Sequence, residues 1–437
     1  MNNSVHRLIS RSVTALITIG LLSTVAFAGD WPHWRGPNRN DIITESSGWT
    51  EEGWLVSQPK WESNVGEGSS SPLVIGDRLF AMGWRDQKDT VYCLHAATGV
   101  EIWSVSYPCP RHGRLATGDQ GLYSGPTSTP EFDDATGYLY TLSCDGDLNC
   151  WDSNQQGNQV WSKNLYDIYK AEQRPKIGRS GRRDYGYTTA PLVHGDWLIV
   201  EVGAEAGTLV AFDKKTGEEI WKSEATGPAG HSGGLAPIIV QGIPCVAVFT
   251  LSGLLVTRLD EAHAGKTVAE YEWITSFVNN IATPAVFDNY VLITSEYNQN
   301  AICKLEITLN GAKQVWQKPL ASKVCSPIIH QGHIYWCWRR TYCLDFETGE
   351  TRWEGGDFGD AGSCIVTSDN RLIIWGGQGA LAVAETASQS PSTYQELSRM
   401  DKVFSEDVWP HVVLSHYRVY CKGWSGRLKC FELKDHQ

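Results

Sequence analysis

The sequence lacks most of the short motifs that mark enzymes and metalloproteins. It contains no CxxC pair, no HExxH or His-x-His pair, no P-loop and no GxGxxG segment. These absences leave a zinc site, a thioredoxin-like redox centre and a nucleotide-binding loop without sequence support. The segment GWSG (423–426) lacks a spacing residue of the nucleophile elbow, and DGD (145–147) lacks the later glutamate of an EF-hand. We therefore assign no catalytic residue and no metal ligand.

The apolar run near the start of the chain is too short for a membrane span. It extends over about 16 residues, Val13 to Ala28, whereas a helical span needs roughly 20. Basic side chains precede it, and Ala26-Phe27-Ala28 supplies a small-x-small cleavage pattern. We expect residues 1–28 to be a signal peptide cut after Ala28, so that the protein is periplasmic or secreted. An uncleaved anchor is the alternative.

Positive charge is scarce. The chain has 37 lysines and arginines against 49 acidic residues, and two of the arginines lie in the first 28 residues, which leaves a formal charge of −14 for the remainder. Such a surface disfavours nucleic acid and anionic lipid as main partners. The 19 tryptophans and 43 glycines, with only 20% charged residues, suit a turn-rich β protein with a large core. We expect a monomer.

One pattern recurs through the chain, and such internal repeats dominate the choice of fold. It runs from Ser/Ala/Thr-Pro through three strands and their turns to Asp-x-x-Thr-Gly and then a tryptophan. Six copies are complete, a seventh is degraded and the last contains three strands. The copies cover residues 71–103, 129–161, 190–221, 236–273, 283–316, 326–353, 363–397 and 409–433.

These copies predict an all-β fold, an eight-bladed β-propeller with four-stranded antiparallel blades. The missing fourth strand of the last blade is expected near Trp61, close to Lys429 and Phe431. The N- and C-terminal strands then share one blade, which closes the ring and removes exposed sheet edges. We expect three segments: a signal peptide (1–28), an N-terminal extension (29–60) and the propeller (61–437). Whether the motif from Trp31 to Arg39 caps the ring or extends a blade stays open.

The repeats also assign roles to aromatic and sulfur side chains. We expect one set of tryptophans to bury their rings between blades, and one set of cysteines to occupy a single repeat position as small buried residues. If Ser425-Gly426 is a two-residue turn, Cys421 and Cys430 face each other and are the best disulfide candidate. The tryptophans are Trp103, Trp161, Trp221, Trp273, Trp316 and Trp353, and the cysteines are Cys93, Cys150, Cys303, Cys343 and Cys430.

The repeat units LHAATGVEIW (94–103), AFDKKTGEEIW (211–221) and LDFETGETRW (344–353) resemble the signature of the pyrroloquinoline-quinone-like propeller repeat family. The resemblance covers about residues 61–433. The segment WPHWRGPNR (31–39) resembles the opening of a group of secreted bacterial propellers in that family, most of which have no assigned role. The resemblance implies the propeller fold with high specificity.

Two functional branches of that family are known, and the sequence departs from both. The quinoprotein alcohol dehydrogenases bind the quinone and calcium at the axis and typically carry adjacent cysteines, but no two cysteines are adjacent here. The scaffold lipoprotein BamB is lipidated at a cysteine after its signal, and this chain has none there. The resemblance therefore transfers a fold and leaves the cofactor unknown, with pyrroloquinoline quinone and calcium as candidates.

Polar residues cluster in the loops that lead into the blades, where a propeller binds ligands around its axis. Such a funnel suits an anionic or carbonyl-rich ligand, because arginine binds carboxylates and amides both donate and accept. The alternative is that these residues tie the rim loops together by hydrogen bonds. His112, Arg114 and Asp119 lead into the second blade, and the candidate ligand-binding residues are Arg183, Asp184, His231, Asn279, Asn280 and Lys323.

The sequence thus favours an exported, BamB-like binding or scaffold propeller with a protein or glycan partner at its rim. We expect it not to be an enzyme. The alternative is a pyrroloquinoline-quinone-dependent oxidoreductase, and a polysaccharide lyase or hydrolase on the same scaffold is a further one.

Overall fold

The computed structural model describes residues 29–110, 125–172, 184–277, 279–360, 362–377 and 379–434. These residues form eight antiparallel sheets arranged in a ring, which confirms the eight-bladed propeller. In each blade the strands follow one another from the axis outwards, so the first strand lies beside the axis and the fourth at the rim. Short helices cover Ser153–Gln155, Leu165–Tyr169 and Glu261–His263.

The strands of the first four blades are given in chain order. Blade 1 contains Leu73–Ile75, Arg78–Arg85, Lys88–His95 and Glu101–Pro108. Blade 2 contains Glu131–Asp133, Tyr138–Leu142, Asp147–Asp152 and Asn158–Asn164. Blade 3 contains Leu192–His194, Trp197–Ala204, Gly207–Asp213 and Glu219–Lys222. Blade 4 contains Ala236–Val240, Ile243–Thr250, Gly253–Arg258 and Thr267–Glu272.

The remaining blades follow the same order, with one continuous strand in blade 6. Blade 5 contains Ala285–Phe287, Tyr290–Ser295, Ala301–Thr308 and Gly311–Lys318. Blade 6 contains Ile328–His330, His333–Asp345 and Thr351–Gly359, and the long strand fills the second and third places by bending at Arg339, where φ is +60°. Blade 7 contains Gly362–Val366, Arg371–Gly376, Ala380–Glu385 and Glu396–Met400. Blade 8 contains Val413–Ser415, Arg418–Lys422, Arg427–Glu432 and Trp61–Asn64.

Blade 8 closes the ring with strands from both ends of the chain, as the sequence predicts. Trp61 pairs with Cys430 and Glu62 pairs with Lys429 in an antiparallel register. This pairing places Trp61 opposite a cysteine, which is the same arrangement that joins Cys93 to Trp103 in blade 1. The first strand after the N-terminal extension therefore completes the last repeat.

The outer-strand tryptophans join neighbouring blades through glycine-containing turns, several of which are Thr-Gly. Trp61 of blade 8 donates its indole N–H to the Ala96 carbonyl of blade 1 at 2.9 Å, and its ring lies against Gly99. A methyl group on Gly99 would lie 2.5 Å from that ring, so the glycine is required both for its φ of +71° and for the close approach. Trp103 with Gly157, Trp161 with Gly217 and Trp316 with Gly349 make similar contacts, whereas a methyl group on Gly265 would lie 2.4 Å from the Lys222 carbonyl and 3.3 Å from the Trp221 ring.

Two positions of this pattern differ from the prediction. Trp273 is buried and donates to Ser295 Oγ of blade 5, but it follows the fourth strand instead of lying within it, and Ala269 takes the usual tryptophan place opposite Val256. In blade 5 the residue opposite Trp316 is Lys304, not Cys303. The sequence alignment of these looser copies was thus displaced, because spacing alone does not show where the strand bulges.

The predicted disulfide between Cys421 and Cys430 is wrong. Cys421 pairs with Lys429, whereas Cys430 pairs with Tyr420, so the two thiols point to opposite faces of the sheet. The hairpin loop is one residue longer than the predicted two-residue turn, since Gly423 N–H donates to the Arg427 carbonyl, and one extra residue reverses the facing of every side chain beyond it. All twelve cysteines are buried free thiols.

Residues 31–43 occupy the axis of the ring. Their partners lie on the first strands of the blades or on the loops that lead into them, which surround the axis. This segment, which we call the axial segment, therefore neither caps the ring nor extends a blade. Its contacts are Trp31 with Val74, Pro32 with Phe132, Trp34 with Thr283, Arg35 with the Pro284 and Pro327 carbonyls, and Ile43 with Val366.

Two buried carboxylates anchor the axial segment. The Glu131 carboxylate of blade 2 is hydrogen-bonded to the side chains of Arg39 and His33 and to the Val193 N–H of blade 3. Burial alone would raise the pKa of Glu131, but the adjacent Arg39 and His33 more than offset this and lower the pKa to about 2. Asp41 lies 2.5 Å from Arg35 Nε and 3.1 Å from His411 Nε2 of the loop before blade 8. The segment is thus held by ion pairs in addition to backbone contacts.

We predict that Gly99→Ala destabilises the protein more than Gly76→Ala. Both glycines have positive φ, +71° and +58°, so both substitutions impose left-handed strain of about 1–2 kcal/mol. In the described structure no atom lies within 4 Å of a methyl group on Gly76, whereas the Trp61 ring would be overlapped by one on Gly99. We expect an additional loss of about 1–3 kcal/mol for Gly99→Ala in urea unfolding. Equal losses would contradict the docking of Trp61.

We also predict that Glu131→Gln lowers the free energy of unfolding by about 3–5 kcal/mol at pH 7, because the largely buried Arg39 side chain is left without its fully buried anion. The pKa of Glu131 is lower in the folded protein than in the unfolded chain, so its contribution is present above about pH 4.5 and is lost as the pH falls towards about 2. The difference between wild type and variant should shrink over that range in urea titrations.

Glu62→Gln is the matched control for that variant. Glu62 is exposed and pairs with Arg427 at the rim, and an exposed pair contributes about 0–1 kcal/mol. A Glu131→Gln loss as small as that of the control would show that the axial segment is held without this ion pair.

Candidate functional site

A cavity of about 370 Å³ lies on the axis, on the face of the ring where the loops lead into the blades. We call it the axial cavity and call this face the loop face. Each of the eight blades contributes at least one lining residue, which places the cavity on the symmetry axis of the fold. Blades 1 to 8 supply in turn Ser69, Thr127, Tyr185 with Thr188, His231 with Gly233, Asn279 with Ile281 and Tyr297, Lys323 with Val324, Asp360, and Asp407 with Trp409.

Trp34 of the axial segment closes the base of the cavity. Its indole N–H donates to Thr283 Oγ1 at 2.9 Å, and its ring meets the His411 ring edge-on at 5.5 Å. Gly233 and Gly234 admit the ring, since a methyl group on Gly234 would lie 2.3 Å from it. The Gly-Gly pair before blade 4 thus serves close packing against the axial segment, which fixes the depth of the cavity.

His231, Asn279 and Tyr297 form a hydrogen-bonded wall. His231 Nδ1 lies 3.2 Å from Asn279 Oδ1, and because that oxygen can only accept, Nδ1 carries the proton. Asn279 Nδ2 donates to the Tyr297 hydroxyl at 3.1 Å, and the Asn279 N–H donates to Thr275 Oγ1. The Tyr185 ring meets His231 edge-on at 5.3 Å. Residues of three blades therefore hold one another in fixed orientations.

Lys323 and Asp360 form an ion pair in the part of the wall next to Tyr297, since Lys323 also lies 3.8 Å from Glu296. Lys323 Nζ lies 2.9 Å from Asp360 Oδ2, and Asp360 Oδ1 accepts from Trp338 Nε1 and Arg339 Nε. Burial would lower the pKa of Lys323, but the hydrogen bond and charge of Asp360 outweigh it and raise the pKa. Burial would raise the pKa of Asp360, but Lys323 beside it lowers the pKa. Both groups are charged at neutral pH and neutralise each other.

The candidate residues from the sequence lie in different environments. His231, Asn279 and Lys323 line the axial cavity together. Asp184 is buried and accepts from the Gly186 N–H, and Asn280 is fully buried and donates to the Thr250 and Trp273 carbonyls, so neither lines the cavity. Arg183 lies outside the described residues, as do His112, Arg114 and Asp119. For Asn280 the loop-tying alternative describes the observed contacts.

The sequence reasoning missed the aromatic and acidic part of the lining. Trp34 and Trp409 were visible in the motifs WPHWRGP and VWPH, but nothing in the repeats indicated that the N-terminal motif reaches the axis. Tyr297 lies in the turn between the second and third strands of blade 5, whereas the repeat pattern points to the loops before first strands. Asp360 and Asp407 add two acidic side chains to the expected mixed basic and amide-rich funnel, and Lys323 is the one lysine or arginine among the described lining residues.

The described residues contain no group of three or more histidine, cysteine, aspartate or glutamate side chains placed to hold a metal ion. Within the same residues, no helix has the length and apolar character that crossing a membrane requires.

The ring, the repeat contacts and the axial cavity define an eight-bladed propeller of the pyrroloquinoline-quinone-like repeat class. A family profile described as outer membrane protein assembly factor BamB matches residues 87–355, more than half of the chain. The chain therefore belongs to this family. No curated protein matches the sequence significantly.

Solved structures show the same fold at low sequence identity. BamB from Moraxella catarrhalis has a TM-score of 0.57 and 13% identity, over 87% of this chain and 98% of that chain. Quinohemoprotein alcohol dehydrogenase from Comamonas testosteroni has a TM-score of 0.65 and 13% identity, over 92% of this chain and 80% of that chain. The C-terminal WD40 domain of Sif2 has a TM-score of 0.54 and 7% identity, over 86% and 98%. At these identities the similarity shows the fold alone.

We predict that Asn280→Ala is more destabilising than Asn279→Ala. Removing the Asn280 amide leaves two buried carbonyls, of Thr250 and Trp273, without their donor, which costs about 1–3 kcal/mol for each unsatisfied group. The partners of Asn279 lie at the cavity wall, where water can replace the amide. Thermal unfolding of the two variants measures the difference. A larger loss of stability for Asn279→Ala would mean that the hydrogen bonds of the cavity wall stabilise the fold more than those of Asn280 do.

Proposed function

We propose that the protein is an exported binding or scaffold propeller whose partner inserts a group into the axial cavity. The observation that supports this most is the cavity itself: eight blades converge on it, and Trp34 closes its base. Its volume falls within the range of roughly 300–1,000 Å³ that is usual for ligand pockets. The lining is also built in advance, since His231, Asn279 and Tyr297 are already bonded to one another. A protein or a glycan could present the group.

The quinone-dependent oxidoreductase is the alternative, and the described lining fits it poorly. Pyrroloquinoline quinone carries three carboxylates, whereas Lys323 is the one lysine or arginine among the described lining residues and is already paired with Asp360. Asp360 and Asp407 would face the quinone carboxylates at close range, which is unfavourable. No three histidine, cysteine, aspartate or glutamate side chains are grouped among the described residues, so a calcium ion there would depend on amide and carbonyl oxygens. The chemistry of the lining therefore supports binding of another kind of ligand.

Export is part of the proposal. We propose that residues 1–28 are removed after Ala28 and that the protein works in the periplasm or outside the cell, as its family suggests. In the described structure Gly29 and Asp30 are held against blade 8, where Ser415 Oγ donates to the Gly29 carbonyl and His416 contacts Asp30. A new N-terminus at Gly29 would leave these contacts intact.

Partner capture from the native cell envelope, followed by mass spectrometry, tests the proposal. We expect wild type to retain a specific partner and the double variant Asn279→Ala with Trp409→Ala to lose it, because both side chains line the cavity. Tyr417→Ala is the matched control, since Tyr417 is an exposed aromatic residue in the turn between the first two strands of blade 8, on the opposite face. Retention of the partner by the double variant would refute binding through the cavity.

The quinone alternative has its own test. Purified protein mixed with pyrroloquinoline quinone and calcium should show neither bound quinone absorbance nor dye reduction with alcohols. Alcohol-dependent dye reduction that Asn279→Ala abolishes would replace the binding proposal with the enzymatic one.

A further inference from the structure

We propose that the group received by the axial cavity is an uncharged sugar ring of a glycan. This inference rests on the proposed binding function and narrows it from a protein or glycan partner to one chemical class. It combines three features of the described lining: aromatic surfaces, a hydrogen-bonded amide and hydroxyl, and a lysine charge that a neighbouring aspartate neutralises.

Aromatic side chains reach the cavity from four separate parts of the chain. Trp34 forms the base, and Tyr185, Tyr297 and Trp409 come from the loop face of blades 3, 5 and 8. Each of the four is partly exposed, so ring surface remains open to a ligand. The face of an aromatic ring is negatively polarised and attracts weakly positive C–H groups. A pyranose ring presents such C–H groups on its flat faces, whereas an extended peptide has few of them in one plane.

The polar wall beside these rings suits hydroxyl groups. The Asn279 amide can both donate and accept, and so can the Tyr297 hydroxyl to which it is bonded at 3.1 Å. Neighbouring hydroxyls of a sugar also donate and accept, and they fit a pair of such groups better than a carboxylate does, because a carboxylate only accepts. His231 holds the amide through its 3.2 Å contact with Oδ1 and fixes which end faces the ligand.

The charges of the lining favour a neutral ligand over an ionic one. Lys323 is bound to Asp360 at 2.9 Å and lies 3.8 Å from Glu296, so an anion would have to compete with carboxylates already in place. Asp407 adds a further acidic residue to the lining. A neutral hydroxyl can instead donate to Asp360 without disturbing the pair. The cavity thus offers polar contacts to a sugar without the cost of separating two charges.

Isothermal titration and saturation-transfer NMR with defined probes test this assignment. The neutral probes are cellobiose, maltose and chitobiose, and the anionic probes are citrate and galacturonate. We expect at least one neutral disaccharide to bind, with its ring C–H protons receiving the strongest saturation transfer. Trp409→Ala should weaken that binding about tenfold, the size expected for one lost aromatic contact, whereas Trp409→Phe should retain most of it. Tyr417→Ala should leave it unchanged, and thermal unfolding shows which variants remain folded.

The possible results test the sugar assignment separately from the proposed binding function of the cavity. Binding of neutral disaccharides that depends on Trp409 and Asn279 supports the inference. Binding of citrate or galacturonate alone, or capture of a protein at the cavity without any glycan binding, overturns the sugar and leaves the binding function standing. If no probe binds and no partner is captured, both the sugar and the proposed function fail.

Discussion

The packing of one tryptophan ring against a glycine-containing turn of the next blade is the contact on which the ring depends. It is made at the junctions that Trp61, Trp103, Trp161, Trp221 and Trp316 occupy, and several of these rings also donate to a carbonyl of the same turn. The contact repeats with the sequence, so each blade fixes the angle of its neighbour. Where the tryptophan is missing, as at Ala269 in blade 4, Trp273 joins the blades at the loop face instead.

The axial cavity follows from this ring geometry and from the axial segment together. Residues 31–43 lie on the axis and bond to the first strands and to the loops before them. Trp34 forms the base of the axial cavity, and the loops of the eight blades form its walls. The fold is shared with BamB and with an alcohol dehydrogenase, so the fold does not choose between their functions. The choice rests on side chains such as Lys323, Asp360 and Trp409.

The sequence predicted the fold well because the residues of the repeat have strong local structural preferences. Thr-Gly turns, alternating strands and outer tryptophans gave eight blades and the pairing of Trp61 with the last strand. Register was harder, because one loop residue displaced Cys430 from Cys421 and one bulge put Lys304 where Cys303 was expected. The site was half visible. His231, Asn279 and Lys323 lie in loops that the repeat locates, but the base depends on a contact between Trp34 and Thr283, which are 249 residues apart.

The position of the axial segment has a topological consequence for how the molecule assembles. Residues near the start of the chain lie inside a ring that is closed by strands from both ends, with Lys60 bonded to Glu432, 372 residues later. Pairing across such separations is slow, because the loop between the partners must first lose its freedom. A chain is synthesised from its N-terminus, so the axial segment is made before the blades. The blades can therefore form around a segment that is already present. Once the strands of blade 8 have paired, the closed ring surrounds the axial segment. The segment can then leave only along the axis or after the ring has opened.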